Sequence, residues 1–353
     1  MRPFRLALLV VCVAGAFGAQ AIPLAAQGAP PGSDYEGQAF EFEQIRDDVY
    51  IARGTGALTV MSNAAIVIND EDVLVVDSHV SPAGAYALLR ELREITTKPV
   101  RYVVNSHYHF DHSHGNQIYG PGVEIIGHEY TREAMATGLS LSGRTFARFL
   151  APIPERVASM RAELDATSDP AAREELAQRL EVQENFLAAT NSVEPTPPNV
   201  TLERQLTLIR GGNEIRIEFL GRGHTAGDVV VYLPEQRVLM TGDLFYSGLS
   251  YMGNAYIPDW IETLEKLKEF DFDVVLPGHG PPVRDPAVID NFQAYLRDFW
   301  EQVNELHDAD VPVEEAAARM DLRSHGENYP QIRSIGVDVD AVDRAYELIE
   351  TGR

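Results

Sequence analysis

Within six residues the chain places three histidines and an aspartate, in the run His107-Tyr108-His109-Phe110-Asp111-His112. The run follows Val100–Val104, a short β-branched stretch that reads as a buried strand. In extended chain, residues two apart point to the same side, so His107 and His109 converge while Tyr108 points away. Asp111 and His112 come where the chain must turn, and they face a second, neighbouring point. Neutral imidazole with carboxylate suits zinc, or iron or manganese where carboxylate and water share the site. Three later segments have the same character: Gly223-His224-Thr225, Thr241-Gly242-Asp243 and Pro277-Gly278-His279-Gly280. The first stands just ahead of a strand-like run and the other two just after one. Functional side chains at strand ends, flanked by glycines, mark a site at the edge of a sheet.

The elements that must position these residues are legible as alternating strands and helices. Strands are predicted at Val49–Ala52, Ala64–Ile68, Val73–Val76, Val100–Val104 and Val123–Ile126. After a helical interval they resume at Leu206–Ile209, Ile215–Phe219, Val229–Leu233, Val238–Met240 and Val274–Leu276, with Gly211-Gly212 as a hairpin turn. Helical spacing covers 82–96 and 259–270. Residues 129–190 read as a helical hairpin, its second helix started by Ser168-Asp169-Pro170, with Val157, Met160 and Leu164 facing Leu176, Leu180, Phe186 and Leu187. Beyond Pro282 a stripe of Phe292, Leu296, Phe299, Val303 and Leu306 marks a core-facing helix, and shorter helices follow at 313–320 and 338–350. Two halves of alternating strands and helices favour a layered α/β sandwich.

The chain begins with two arginines, an apolar run over 6–17 and Ala19-Gln20-Ala21, the three-part pattern of a cleavable signal peptide. The apolar run is too short to span a bilayer comfortably. The expected organisation is a signal peptide at 1–21, a flexible leader at 22–38, a sheet-based domain at 39–285 with a helical insert at about 129–200, and a helical extension at 286–353. Cleavage would remove Cys12, the one cysteine, leaving no disulfide and no thiolate ligand. It would also remove two of the 29 basic residues and none of the 53 acidic ones, so the net charge moves from −24 to −26. So acidic a chain argues against nucleic acid and anionic lipid surfaces as partners. The partner expected is a small-molecule substrate, with no nucleic acid and no membrane; the number of subunits is not encoded in any of these patterns. The location expected is the periplasm or beyond.

The chain resembles the metallo-β-lactamase superfamily of hydrolases over roughly residues 40–285, in the His-x-His-x-Asp-His run, Gly-His-Thr, Thr-Gly-Asp and Gly-His-Gly, all in the family's order. The resemblance implies a four-layer αββα sandwich. It implies that His107, His109 and His224 hold one metal, that Asp111, His112 and His279 hold a second, and that Asp243 bridges them. Asp77, at a strand end, matches the family's buried supporting aspartate. Two zinc ions are the expected cofactors, with iron or manganese as alternatives. The missing cysteine excludes the lactamases with a cysteine ligand, and Asp243 follows the glyoxalase-II and lactonase pattern. A glutamate stands at the His109 position in flavodiiron oxygen reductases, which counts against that branch.

From such a ligand set the chemistry follows. Two cations sharing a water lower its pKa from about 15.7 to about 7, which supplies hydroxide near neutral pH. Asp111 has the catalytic task of orienting that hydroxide. The reaction expected is hydrolysis of an activated acyl bond: a β-lactam, lactone, ester or thioester. The rivals are a single-iron sulfur oxygenase on the same fold, using His107, His109 and His224 alone, and a non-catalytic metal-bearing binding protein of the envelope. Specificity is expected in the insert and in the loop from Phe245 to Tyr256. Tyr246 and Tyr251 are either oxyanion donors or packed rings. His79 and His114 either support the site or fill space, and His128, His307, His325 and Trp260 read as structural.

Overall fold

A computed structural model describes residues 28–352. The signal-peptide expectation for 1–21 lies outside the described residues. The first sheet has seven strands in sequence order: β1 (Phe40–Arg46), β2 (Val49–Gly54), β3 (Ala64–Ile68), β4 (Val73–Val76), β5 (Val100–Val104), β6 (Glu124–His128) and β7 (Val200–Leu202). Pairing is antiparallel from β1 to β4 and parallel from β4 to β7. Parallel neighbours need a crossover. Helix α1 (Pro82–Leu92) supplies the one between β4 and β5, with Ser81 capping its start by accepting from Gly84 N. The second sheet holds β8 (Gln205–Arg210), β9 (Asn213–Phe219), β10 (Val229–Leu233), β11 (Val238–Gly242) and β12 (Val274–Pro277), in the order β12-β11-β10-β9-β8. Only β11 and β12 run parallel there.

Strand periodicity sorts the apolar side chains into layers. Leu74 and Val76 of β4 and Val229, Val231 and Leu233 of β10 point into the space between the sheets, where they join Ile51, Ile217, Met240 and Leu276. The alternate residues point outward. Val73 and Val75 meet Ala87, Leu88 and Leu92 of α1. Val230, Tyr232 and Leu239 meet a second helical layer, built from α6 (Ile257–Leu267), α7 (Ala287–Asp308), α8 (Val313–Arg319) and α9 (Val339–Thr351). The architecture is thus helix, sheet, sheet, helix, the αββα sandwich. On α7 the predicted stripe is buried at Phe292, Leu296, Phe299 and Val303 and partly buried at Leu306.

The remaining helices are α2 (Phe110–Ser113), α3 (Glu129–Ala136), α4 (Ile153–Ala166) and α5 (Pro170–Asn191). Helices α4 and α5 pack as a hairpin. Val157, Leu180 and Phe186 are buried at their contact together with Phe110, which follows His109. Asp169 caps α5 by accepting from Ala172 N at 2.9 Å. Two strands were absent from the sequence reading. β1 is an edge strand whose Glu41 and Glu43 suit an open edge; its Phe40-Glu41-Phe42-Glu43 alternation is a strand signal that the reading passed over. β7 is three residues long. The described part of the expected flexible leader is fastened rather than loose: Asn185 Nδ2 donates to Asp34 O at 2.8 Å, and the Arg90 guanidinium lies 4.5 Å from the centre of the Tyr35 ring.

Candidate metal centre

Every proposed ligand emerges from the same edge of the sandwich. His107, His109, Asp111 and His112 follow β5; His224 follows β9; Asp243 follows β11; His279 follows β12. Cross-sheet hydrogen bonds hold these loops together. Val229 N donates to Ser106 O at 2.8 Å and Asn63 N to Gly278 O at 2.7 Å. The Asn63 amide also donates to Pro277 O at 3.0 Å and Gly280 O at 2.9 Å. At Gly278 a side chain is excluded: a Cβ there would lie 2.3 Å from Asp243 Oδ1 and 2.7 Å from His112 Cε1.

All seven side chains meet. One atom from each of His107, His109 and His224 falls in a group within 4.8 Å of one another; His107, His112 and Asp243 form a second such group, and Asp111, His112 and His279 a third. His224 Nε2 is 3.0 Å from His109 Nδ1. His279 Nε2 is 3.2 Å from both Asp111 Oδ2 and Asp243 Oδ2, and His112 Nε2 is 3.3 Å from Asp243 Oδ1. Asp243 thus lies between the two histidine groups, with His224 Nε2 at 3.7 Å from its Oδ2. The donor set suits metal on the evidence of its own atoms. His107 Nε2, His112 Nε2 and Asp243 Oδ1 are buried without a hydrogen bond among the described residues. A buried polar atom without a partner is costly.

Charge within the cluster is divided. Burial lowers His107 well below the ordinary histidine value and His109 and His224 to about 3 and about 4, so these three are neutral and ready to ligate. Burial also opposes charge on Asp111 and Asp243, but His112 and His279 outweigh it and hold both carboxyls well below their usual range. For the same reason, against burial, His112 is raised well above its ordinary value and His279 to about 10.

Around the candidate ligands stands a layer of orienting groups. Asp77 Oδ2 is 2.8 Å from His112 Nδ1 and also accepts from Ser106 Oγ at 2.9 Å; Ser106 Oγ is in turn 3.0 Å from His107 Nδ1. A carboxylate on the far nitrogen fixes a ligand ring and its tautomer. Asp77 has φ 69, a left-handed conformation in which its backbone N donates to Val104 O at 2.8 Å. Asn254 does the same service for His109, its Oδ1 lying 3.1 Å from His109 Nε2, so His109 turns Nδ1 to the centre. Neither Ser106 nor Asn254 was singled out in the sequence. His79 is buried, with Nδ1 3.1 Å from Ser62 O, while Ser62 Oγ donates to Asp111 O at 2.5 Å. His79 therefore props the loop under Asp111 from outside the ligand groups. His114 is buried near Phe110, their ring centroids 6.2 Å apart. His128 caps α3, accepting from Tyr130 N. Trp260 lies in the core, its ring edge-on to His224 at 5.6 Å.

A cleft of about 500 Å³ opens over the centre, lined by His109, Asp111, His224, Asp243 and His279 at its floor. The tyrosines in its wall are packed rings. Tyr246 OH donates to Leu249 O at 2.9 Å and Tyr251 OH to Asp340 Oδ2 at 3.0 Å, so both hydroxyls are committed away from the floor. The insert contributes Thr145, Arg148 and Phe149, and residues 331–341 supply a wall that the sequence reading assigned to neither specificity element.

Residues 58–279 match the sequence profile of the metallo-beta-lactamase superfamily, and the chain belongs to that superfamily. It is 25% identical over 264 residues to the linear primary-alkylsulfatase of Pseudomonas sp. (strain ATCC 19151), covering 68% of this chain and 45% of that protein. It is 40% identical over 75 residues to metallo-beta-lactamase IND-1 of Chryseobacterium indologenes, covering 20% of this chain and 31% of that one. Among solved structures, the stereoselective inverting sec-alkylsulfatase Pisa1 from Pseudomonas sp. matches in fold with a TM-score of 0.62 at 17% identity, over 89% of this chain and 50% of that one. The chain spans half or less of the length of these relatives. Superfamily and clusters together fit a metal-dependent hydrolase or oxygenase, and a divalent metal, commonly zinc.

Proposed function

We propose that the chain is a two-zinc hydrolase that cleaves an activated acyl bond of a small substrate. The observation carrying this reading is the convergence of seven ligand side chains in which a carboxylate, Asp243, stands between two histidine groups. His107, His109 and His224 would hold one ion, Asp111, His112 and His279 the other, with Asp243 shared. Bound there, the ions would supply Lewis acidity and a water acidified toward about pH 7. The chain's own groups do the rest. Asp111, kept ionised by His112 and His279, accepts a hydrogen bond at a carboxylate oxygen and so orients the attacking water. Asp77, Ser106 and Asn254 lock the imidazoles, so no reorganisation is needed at the moment of reaction. Phe149, Tyr246, Leu249 and Tyr251 line the cleft and limit water around the reacting bond. The reading includes export, on the strength of the leader pattern in residues 1–21.

The test is turnover of a chromogenic cephalosporin, an aryl ester and a lactone by the zinc-loaded protein, with and without chelator. Hydrolysis of at least one that chelation abolishes is the expected result; inertness across all three with two zinc ions bound would sink the proposal. A sulfate ester is the second reading, favoured by the alkylsulfatase match extending over 264 residues where the lactamase match spans 75. An alkyl sulfate in the same panel separates the two. Metal analysis after purification without added metal separates both from a single-iron oxygenase.

A further inference from the structure

One wall of the cleft comes from beyond β12. Residues 331–338 run into α9 and are pinned to the helical layer, Gly336 N donating to Met320 O and Val337 N to Ala317 O, each at 2.9 Å. Against this wall stands the π-helical turn Phe146–Leu150 of the insert, tied to it by Arg148, which pairs with Asp338 at 2.6 Å and Asp340 at 3.5 Å. The charged groups lining the cleft, histidines aside, are Asp111, Asp243, Asp338, Arg148 and Arg333. Asp111 and Asp243 are answered by His112 and His279, and Asp338 by Arg148. Arg333 is left over. Its Nε donates to Pro330 O at 3.3 Å, it forms no ion pair among the described residues, and its side chain is exposed.

The setting gives that cation weight. In a chain with 53 acidic and 29 basic residues, the general surface repels anions, while an unneutralised guanidinium in a cleft attracts them. Around it the same wall is apolar, with Ile332 and Val337 on its own segment and Phe149 and Leu249 also lining the cleft. We infer that Arg333 is a specificity residue that binds an anionic group at the far end of the substrate, the scissile bond lying at the metal centre. The substrate class is then a small acyl compound with an apolar arm that ends in a carboxylate or a similar anion. This rests on the hydrolase reading for the identity of the scissile bond, but not for the binding of the arm.

The test uses the full, zinc-loaded chain and two matched pairs of probes. p-Nitrophenyl hexanoate and the mono-p-nitrophenyl ester of adipic acid share leaving group and arm length and differ in the distal carboxylate. Hexananilide and adipic acid monoanilide make the same comparison by calorimetry, without needing turnover. Arg333→Ala is expected to raise KM for the adipate ester and Kd for the monoanilide about fivefold, with kcat and the neutral pair unchanged. Arg333→Lys should restore most of the loss, Arg333→Glu should deepen it, and high salt should erase the difference between charged and neutral probes. Equal effects on both members of a pair, or none on either, overturn the inference and leave the hydrolase reading standing if the esters turn over. Binding of neither anilide by the wild-type protein overturns it as well. Charge-dependent, Arg333-dependent binding of the monoanilide without turnover of either ester upholds the inference and sinks the hydrolase reading.

Discussion

Asp111 sits in a buried position that would ordinarily discourage its charge, and it stays ionised because His112 and His279 stand against it. Asp111→Asn keeps the shape and removes the charge. It is expected to lower kcat about 10²- to 10⁴-fold, the range for a lost acid–base or orienting group, with zinc content by emission spectrometry retained; an unaltered kcat would remove Asp111 from the chemistry. Asn254 acts through its hydrogen bond to His109. Asn254→Ala is expected to weaken zinc about 10- to 100-fold in a competition titration with a chromophoric chelator, and Asn254→Asp to recover it. If Asn254→Ala binds zinc as the wild type does, its hydrogen bond to His109 does no positioning. These two residues also mark what the sequence could reveal. Asp111 was conspicuous because it stands with three histidines within six residues, a concentration of rare types that metal ligation would explain. Asn254 was not, since an amide in a loop has no periodicity and gains its meaning only when the fold brings it to a histidine 145 positions away.

Among the elements, the buried central strands were the easiest to read. β3, β4, β5 and β10 are runs of β-branched residues closed by turn residues, and their bounds coincide with the reading from sequence. β1 was legible in the alternation of Phe40 and Phe42 with Glu41 and Glu43 and was overlooked, whereas β7 was hidden by its length. The wall at 331–341 was hidden for a different reason: tertiary packing, not local pattern, carries it to the cleft. Helix packing gives this scale its prediction. Trp260 of α6 is fully buried, with Nε1 donating to Leu244 O at 2.8 Å and its ring against His224 and Phe292. Trp260→Phe is expected to cost about 1–3 kcal/mol in denaturant unfolding, from a void and an unpaired carbonyl, and to weaken zinc binding through His224. Loss of stability with unchanged zinc affinity would confine Trp260 to the core. At the β12 end, Gly278→Ala should abolish zinc binding while leaving the far-ultraviolet circular dichroism intact, because its Cβ collides with Asp243 and His112; normal zinc content would mean that the loop yields.

For the molecule as a whole, the centre joins the two sheets, since His107 to His112 leave the first and His224, Asp243 and His279 the second. A ligand bound only by the folded state stabilises it by about 4 kcal/mol at a thousandfold excess over Kd. Chelation is therefore expected to lower Tm by several degrees, read by calorimetry with the zinc-loaded protein as reference; an unchanged Tm would deny the ions a structural part. The pH dependence has a definite sign. In the metal-free protein His112 and His279 carry protons, His279 up to about pH 10, and ligation must displace them. Zinc affinity should therefore rise with pH across the neutral range, and titrations in buffers of different ionisation enthalpy should register proton release; a flat profile would mean that the two histidines enter binding already neutral. Because the last of the proposed ligands, His279, lies far along the chain from the first, the two-ion centre cannot be complete until β12 has been made and has docked beside β11. A chain that stops short of His279 already holds six of the seven side chains: His107, His109 and His224 are complete as a group, while Asp111 and His112 lack their third partner. Filling of the second position would then be a late event in the life of the polypeptide, and an interrupted product ending before His279 should be told apart from a finished one by retaining at most one zinc ion.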